Sequence, residues 1–164
     1  MANISERSNN EIEEVLYLYS NMVYKIALTY TKNIQLAEDV FQTTFLKYME
    51  SEKELDTEEH RKAWLIKVTL NECKRIYRSA YFKRTVPLED IYMAQEEETD
   101  QIFNEVMKLP LKYRKVIHLF YYEELSIKQI SSLLEMKEST VTSQLTRARQ
   151  KLKKVLIEGG YDYA

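Results

Sequence analysis

The chain has 164 residues, with 24 basic and 26 acidic side chains, a formal net charge of −2, only 2 Gly and 2 Pro, and a single cysteine, Cys73. That length holds one domain or two small ones. One cysteine excludes an internal disulfide, and no apolar run approaches the roughly 18 residues of a membrane span, so a reducing cytoplasm without membrane insertion is the expected setting.

The first stretch, Met1 to Asn10, is polar and lacks the apolar core of a secretion signal. From Asn10 to Thr31, Ile12, Val15, Leu16, Tyr19, Val23, Ile26 and Tyr30 recur at helical spacing. Gln35 to Met49 does the same with Leu36, Val40, Phe41, Phe45 and Tyr48. Glu50 to Glu59 is polar and acidic and reads as a loop. His60 to Ser79 carries Ala63, Ile66, Leu70, Cys73 and Tyr77, and Tyr81 to Arg84 adds a short turn. These helices predict a compact antiparallel bundle. Val86-Pro87-Leu88 then breaks any arriving helix. Glu96-Glu97-Glu98 with Asp100 is a like-charge run that resists compaction, so an acidic flexible connector is expected over 85–100. Further helices are expected at Gln101–Lys108, Leu111–Tyr122, Ser126–Leu134 and Glu138–Ile157, with Gly159-Gly160 ending the last. Strand-like alternation is absent over any useful length. The predicted fold is all-α: an N-terminal helical bundle over 10–84, the connector, and a C-terminal helix-turn-helix domain over 101–158.

Charge follows this division. Residues 1–60 carry net −7, 61–84 net +7, 85–105 net −7 and 106–164 net +5. Two basic blocks separated by an acidic connector point to two nucleic-acid contacts, although charge runs also serve simply as solvated faces.

The final helix pair is the most specific feature. Ser126 suits an N-cap, and Ile127, Ile130, Leu133 and Leu134 give the short helix a buried face. Glu135-Met136-Lys137 makes the turn. Along the second helix Val141, Leu145, Ala148, Leu152 and Val155 share one face, while Thr142, Ser143, Thr146, Arg147, Arg149 and Lys153 share the other. A short helix, a turn and a helix with one apolar and one basic, hydroxyl-rich face describe a major-groove reader. Position 135 often requires positive φ, where Gly is usual and Glu stands here. In the first half, Lys74, Arg75, Tyr77, Arg78, Tyr81, Phe82, Lys83 and Arg84 interleave cations with aromatics, as a single-strand groove requires.

Leu109-Pro110, Tyr113-Arg114-Lys115-Val116-Ile117, Leu125-Ser126 and Thr140-Val141 through Arg147-Ala148-Arg149 closely resemble the fourth conserved region of bacterial sigma factors. Ala37-Glu38-Asp39-Val40-Phe41-Gln42-Thr43-Thr44-Phe45 and Ala63-Trp64-Leu65-Ile66-Lys67-Val68-Thr69-Leu70-Asn71 resemble the second region. The ordered pair with a short connector is the layout of the extracytoplasmic-function group of the sigma-70 family. The resemblance, from about Tyr17 to Leu156, implies a protein that binds core RNA polymerase and directs promoter recognition and transcription initiation. It implies polymerase contact by Asp39, Gln42 and Phe45, although Phe45 alone reads as core. It places Asn71 on the face that meets the minus-ten element, beside Lys74, Arg75 and Arg78. It sets Ser143 and Arg147 toward the minus-thirty-five element, with Arg149 making either a phosphate contact or a structural pair. Trp64 stands at a family aromatic position and reads as buried. Thr142, Gln144 and Thr146 depart from the family pattern. Arg75 stands where many relatives carry Asp, so a local ion pair is expected to be lost. The loop 51–59, where relatives capture a flipped base, matches no pattern. Relatives are commonly held by an anti-sigma factor, often membrane-bound, and the resemblance extends that expectation to this chain.

An enzyme reading lacks support. His60 and His118 are far apart without metal-ligand spacing, and adjacent Glu38 and Asp39 point apart on a helix. Neither cofactor nor metal is expected. The competing reading is a stand-alone helix-turn-helix regulator that binds an operator as a dimer; the match to two regions disfavours it.

Overall fold

The computed structural model describes residues 7–79 and 101–158. The connector 85–100, the turn Tyr81 to Arg84 and the Gly159-Gly160 stop lie outside the described residues. The chain divides into two compact units, Met1–Ile91 and Tyr92–Ala164. The described residues are helical apart from short connections and one isolated bridge position, and they form no extended sheet.

The first unit contains α1 (Asn9–Thr31), α2 (Ile34–Glu50) and α3 (Glu58–Arg78), each packed against the other two. Side chains cap all three starts: Ser8 accepts from the Glu11 amide, Asn33 from Leu36 and Thr57 from His60. The Thr57 cap starts α3 two residues before His60, so the loop is shorter than the sequence suggests. Lys32 ends α1 in a left-handed conformation, φ 54°, and its amide returns to the Leu28 carbonyl at 2.8 Å. Val15, Val23, Phe45, Tyr48 and Leu65 form a core cluster, with Trp64 and Leu55 packed against it. Ala63 departs from expectation and is exposed. It begins a stripe with Lys67, Asn71 and Arg75, spaced by four, that faces away from the buried arc of Ile66, Leu70 and Cys73.

Arg7 ties this unit together. Its Nε donates to the Tyr48 carbonyl at 2.9 Å, one terminal nitrogen to the Lys53 carbonyl at 2.8 Å, and the other to Glu11 at 3.0 Å. The guanidinium also lies 4.2 Å from the centre of the Tyr48 ring. The α2–α3 loop is thereby fastened to the start of α1.

The second unit contains α4 (Gln101–Met107), α5 (Leu111–Ile117), a π-helical turn (His118–Tyr122), α6 (Ile127–Leu134) and α7 (Glu138–Glu158). The expected single helix over Leu111–Tyr122 therefore changes type after Ile117. The wider turn is closed by the Glu123 amide on the His118 carbonyl at 3.2 Å. It accommodates a stack of His118 on Tyr122, rings 5.2 Å apart and 10° from parallel, beside Phe103. His118 is buried, and its Nε2 lies 3.4 Å from the Glu123 carboxylate. α7 packs across α4, α5 and α6.

Candidate nucleic-acid interface

The α6–α7 pair has the stereochemistry its sequence demands. Ser126 and Gln129 form a reciprocal capping box, with bonds of 3.1 and 2.8 Å. Glu135 takes the left-handed conformation, φ 56° and ψ 46°, and the Met136 amide closes the turn on the Ser131 carbonyl at 3.0 Å. Val141, Leu145 and Ala148 are buried and anchor α7, with Leu152 and Val155 half-buried behind them. Thr142, Ser143, Thr146, Arg147 and Lys153 are exposed on the other side. Thr142 Oγ1 donates to the Glu138 carbonyl and Thr146 Oγ1 to the Thr142 carbonyl, both at 3.0 Å. With their protons committed to the helix, these hydroxyls present acceptor lone pairs and methyl groups outward.

A polar cleft of about 300 Å³ sits at the start of α7, lined by Lys112, Tyr113, Ser139, Ser143, Gln144 and Arg147. The buried Oε1 of Gln144 meets no donor among the described residues. Lys112 enters this face from α5, outside the helix pair itself and between the Leu109-Pro110 and Tyr113–Ile117 segments. Arg149 points elsewhere. Its Nε donates to the Tyr121 hydroxyl at 2.6 Å, and its guanidinium lies 5.4 and 5.6 Å from the Phe120 and Tyr121 ring centres. It makes the structural pair and joins α7 to the π-helical turn.

Beside that pair runs an apolar groove of about 440 Å³, lined chiefly by Ile102, Val106, Ile117, Tyr121, Leu152 and Leu156. Ile102 and Tyr121 are both about half exposed at its edge.

In the first unit, Asn71, Arg75 and Arg78 are exposed along α3, with Lys74 half-buried alongside. Arg75 makes an ion pair of its own: its Nε meets the Glu72 carboxylate at 2.9 Å. Lys47 of α2 meets the other oxygen of the same carboxylate. Glu72 is 3 % exposed. Burial pushes its carboxyl up, but the hydrogen bonds and charges of Lys47 and Arg75 outweigh burial and hold it below the usual 4.5. Tyr77 is bound inward, edge-on to Tyr30 with ring centres 5.1 Å apart and its hydroxyl donating to the Tyr30 carbonyl at 2.9 Å. Trp64 is half-buried and packs edge-on to Tyr48 at 5.9 Å.

On α2, Asp39 and Gln42 are exposed. Phe45 is not: it is 4 % exposed and belongs to the core, because the helical period turns Val40, Thr44, Phe45 and Tyr48 inward. Leu46, one position on and 55 % exposed, is the apolar side chain that continues the Asp39–Gln42 face. Its offset of four from Gln42 was the available signal. Among the described residues no cluster of His, Cys, Asp and Glu is arranged to hold a metal, and no helix is long and apolar enough to cross a membrane.

Residues 16–82 match the family pattern of Sigma-70 region 2, and residues 99–152 match that of Sigma-70, region 4. The chain is 31 % identical to the ECF RNA polymerase sigma factor SigM of Bacillus subtilis over 166 residues, covering 92 % of this chain and 98 % of that protein. It is 22 % identical to SigW of the same organism, covering 93 % and 92 %. The fold is shared with the sigma factor RpoE of Bartonella quintana, solved with the anti-sigma factor NepR, at TM-score 0.64 and 22 % identity over 90 % of this chain and 97 % of that one. It is likewise shared with CnrH, solved with the cytosolic domain of CnrY, at TM-score 0.61 and 20 % identity over 92 % and 90 %. Two ordered regions, and a relative matched nearly end to end, establish that the chain belongs to the extracytoplasmic-function family of RNA polymerase sigma factors, which direct polymerase to promoters.

Proposed function

We propose a division of labour between two domains, 10–84 and 101–158, joined by the connector 85–100. The first docks core polymerase through Asp39, Gln42 and Leu46 of α2, and offers Asn71, Lys74, Arg75 and Arg78 of α3 to the minus-ten element. The second lays α7 in the major groove of the minus-thirty-five element. Thr142, Ser143, Thr146 and Arg147 read base edges there, and Arg149 holds the helix in place. The observation that carries this reading is the two-sidedness of α7, with Val141, Leu145 and Ala148 buried and a hydroxyl-rich basic face exposed. The protein acts in the cytoplasm and does no chemistry of its own; the polymerase makes the RNA.

An anti-sigma factor, membrane-bound or not, is the proposed silencing partner. The complex of the sigma factor RpoE, which shares this fold, with the anti-sigma factor NepR supports it, and the apolar groove beside Tyr121 is a suitable seat. Gel shift tests the central reading: promoter duplex should shift only when core polymerase is present. A discrete shift by this chain alone would favour an operator-binding regulator.

A further inference from the structure

Glu72 is the one acidic residue in the basic block 61–84, and it is buried. An isolated carboxylate in such a position is costly, and one cation would neutralise its formal charge. Glu72 instead holds two, from different helices. Lys47 comes from α2 with its side chain 51 % exposed, and Arg75 from α3 with its side chain 67 % exposed. The trio keeps a formal charge of +1 at the surface. Arg75 engages Glu72 through Nε, the nitrogen nearest its stem. The terminal fork of the guanidinium stays on the solvent side, the geometry that grips phosphate oxygens in pairs. Lys47 gives one of its three donors to Glu72 and retains the others. Like charges that would repel are drawn together by the shared carboxylate before any ligand arrives, which lowers the ordering cost of binding. Asn71 and Arg78 lie one turn to either side of Arg75 on the same exposed stripe.

We propose that Glu72 is a positioning residue that gathers Lys47 and Arg75 into one seat for a single phosphodiester of the minus-ten strand, making Lys47 a DNA contact from the helix otherwise given to polymerase. This rests on the reading that α3 meets promoter DNA. Lys47 lies outside the basic block of α3, so only the folded contact through Glu72 reveals it.

The test uses holoenzyme and a single-stranded minus-ten oligonucleotide taken from a promoter mapped for this protein. Phosphodiesters are replaced one at a time by neutral methylphosphonate, and salt dependence is measured in parallel. One linkage should matter strongly to the wild type and far less to Lys47→Met and Arg75→Ala. Each of those variants should lower the logarithmic salt slope by about 0.7, the value for one phosphate contact on a single strand. Glu72→Gln should assemble with core polymerase yet lose the selective sensitivity at that linkage. If Lys47→Met keeps both the wild-type slope and the wild-type linkage pattern while Arg78→Ala does not, the seat is wrong and the α3 reading stands. If neither Arg75→Ala nor Arg78→Ala changes any linkage, the reading of α3 fails and the seat fails with it.

Discussion

Arg149 and Tyr121 meet across 28 positions of sequence, the Arg149 Nε donating to the Tyr121 hydroxyl at 2.6 Å while Phe120 flanks the guanidinium. The bond joins α7 to the π-helical turn and separates Arg149 from Arg147, two residues earlier, whose side chain opens on the polar cleft. Two arginines in one short motif therefore sit in different surroundings. Arg149→Ala should destabilise the second unit by about 1–2 kcal/mol, the scale of a hydrogen bond with a partly exposed cation–π contact. It should leave the ranking of minus-thirty-five variants unchanged. Thermal melting and a promoter-variant panel check both halves.

Arg147→Ala should give the opposite pattern. Melting should hardly change, and preference at one base pair should relax by about 1–3 kcal/mol if both guanidinium donors engage a guanine. A uniform loss over all promoter variants would make Arg147 a phosphate contact.

The α2 surface separates binding from folding. Asp39→Arg with Gln42→Ala should reduce co-purification with core polymerase while the circular dichroism and melting curve stay at wild type. Adding Leu46→Ala should reduce it further. Phe45→Ala should cost about 3–5 kcal/mol of stability, as for other buried phenylalanines, with any loss of polymerase following from unfolding.

Glu72 gives the first unit an acid-sensitive contribution. Its folded pKa lies below the unfolded 4.5, so the unfolded chain takes up this proton first as pH falls. The stabilisation is full above about pH 4.5 and is lost as pH drops through the lower folded value. Glu72→Gln should therefore cost about 1–3 kcal/mol at neutral pH, the range for a buried polar group losing its charged partners. The gap between variant and wild type should close below pH 4.5. Denaturant melts across a pH series read this directly.

Glu135 carries the left-handed turn between α6 and α7 without the freedom of glycine. Glu135→Gly should raise the stability of the second unit by about 1 kcal/mol, because a side chain in that region costs 1–2. A lower melting temperature would show that the Glu135 side chain contributes more than its strained backbone costs.

Most of the helical architecture was legible in sequence, because α1, α2, α3 and α7 each carry a long period of apolar residues. Ser126 and the strained position 135 were legible for the same local reason, since caps and turns depend on neighbours in the chain. Sequence failed where three-dimensional neighbours decide. The π-helical turn answers to the packing of His118, Tyr122 and Phe103. Phe45 keeps the core place that its helical period gave it, and what the resemblance passed over is the exposed Leu46 beside it. Lys47 and Lys112 join basic faces built mainly by other helices, and Arg75 finds its carboxylate one turn back on its own helix, shared with Lys47.

The long-range ties also bear on synthesis. Arg7 needs Lys53, and the Tyr30 carbonyl receives Tyr77, 47 residues later. α1 therefore cannot settle until nearly all of α3 has left the ribosome. The second unit waits in the same way, because α4 (Gln101–Met107) packs against α7 (Glu138–Glu158) at the far end of the unit. During translation the apolar faces of α1 and α2 stay uncovered until α3 emerges, and those of α4 until α7 does, so each unit should call on chaperones until its last helix is made.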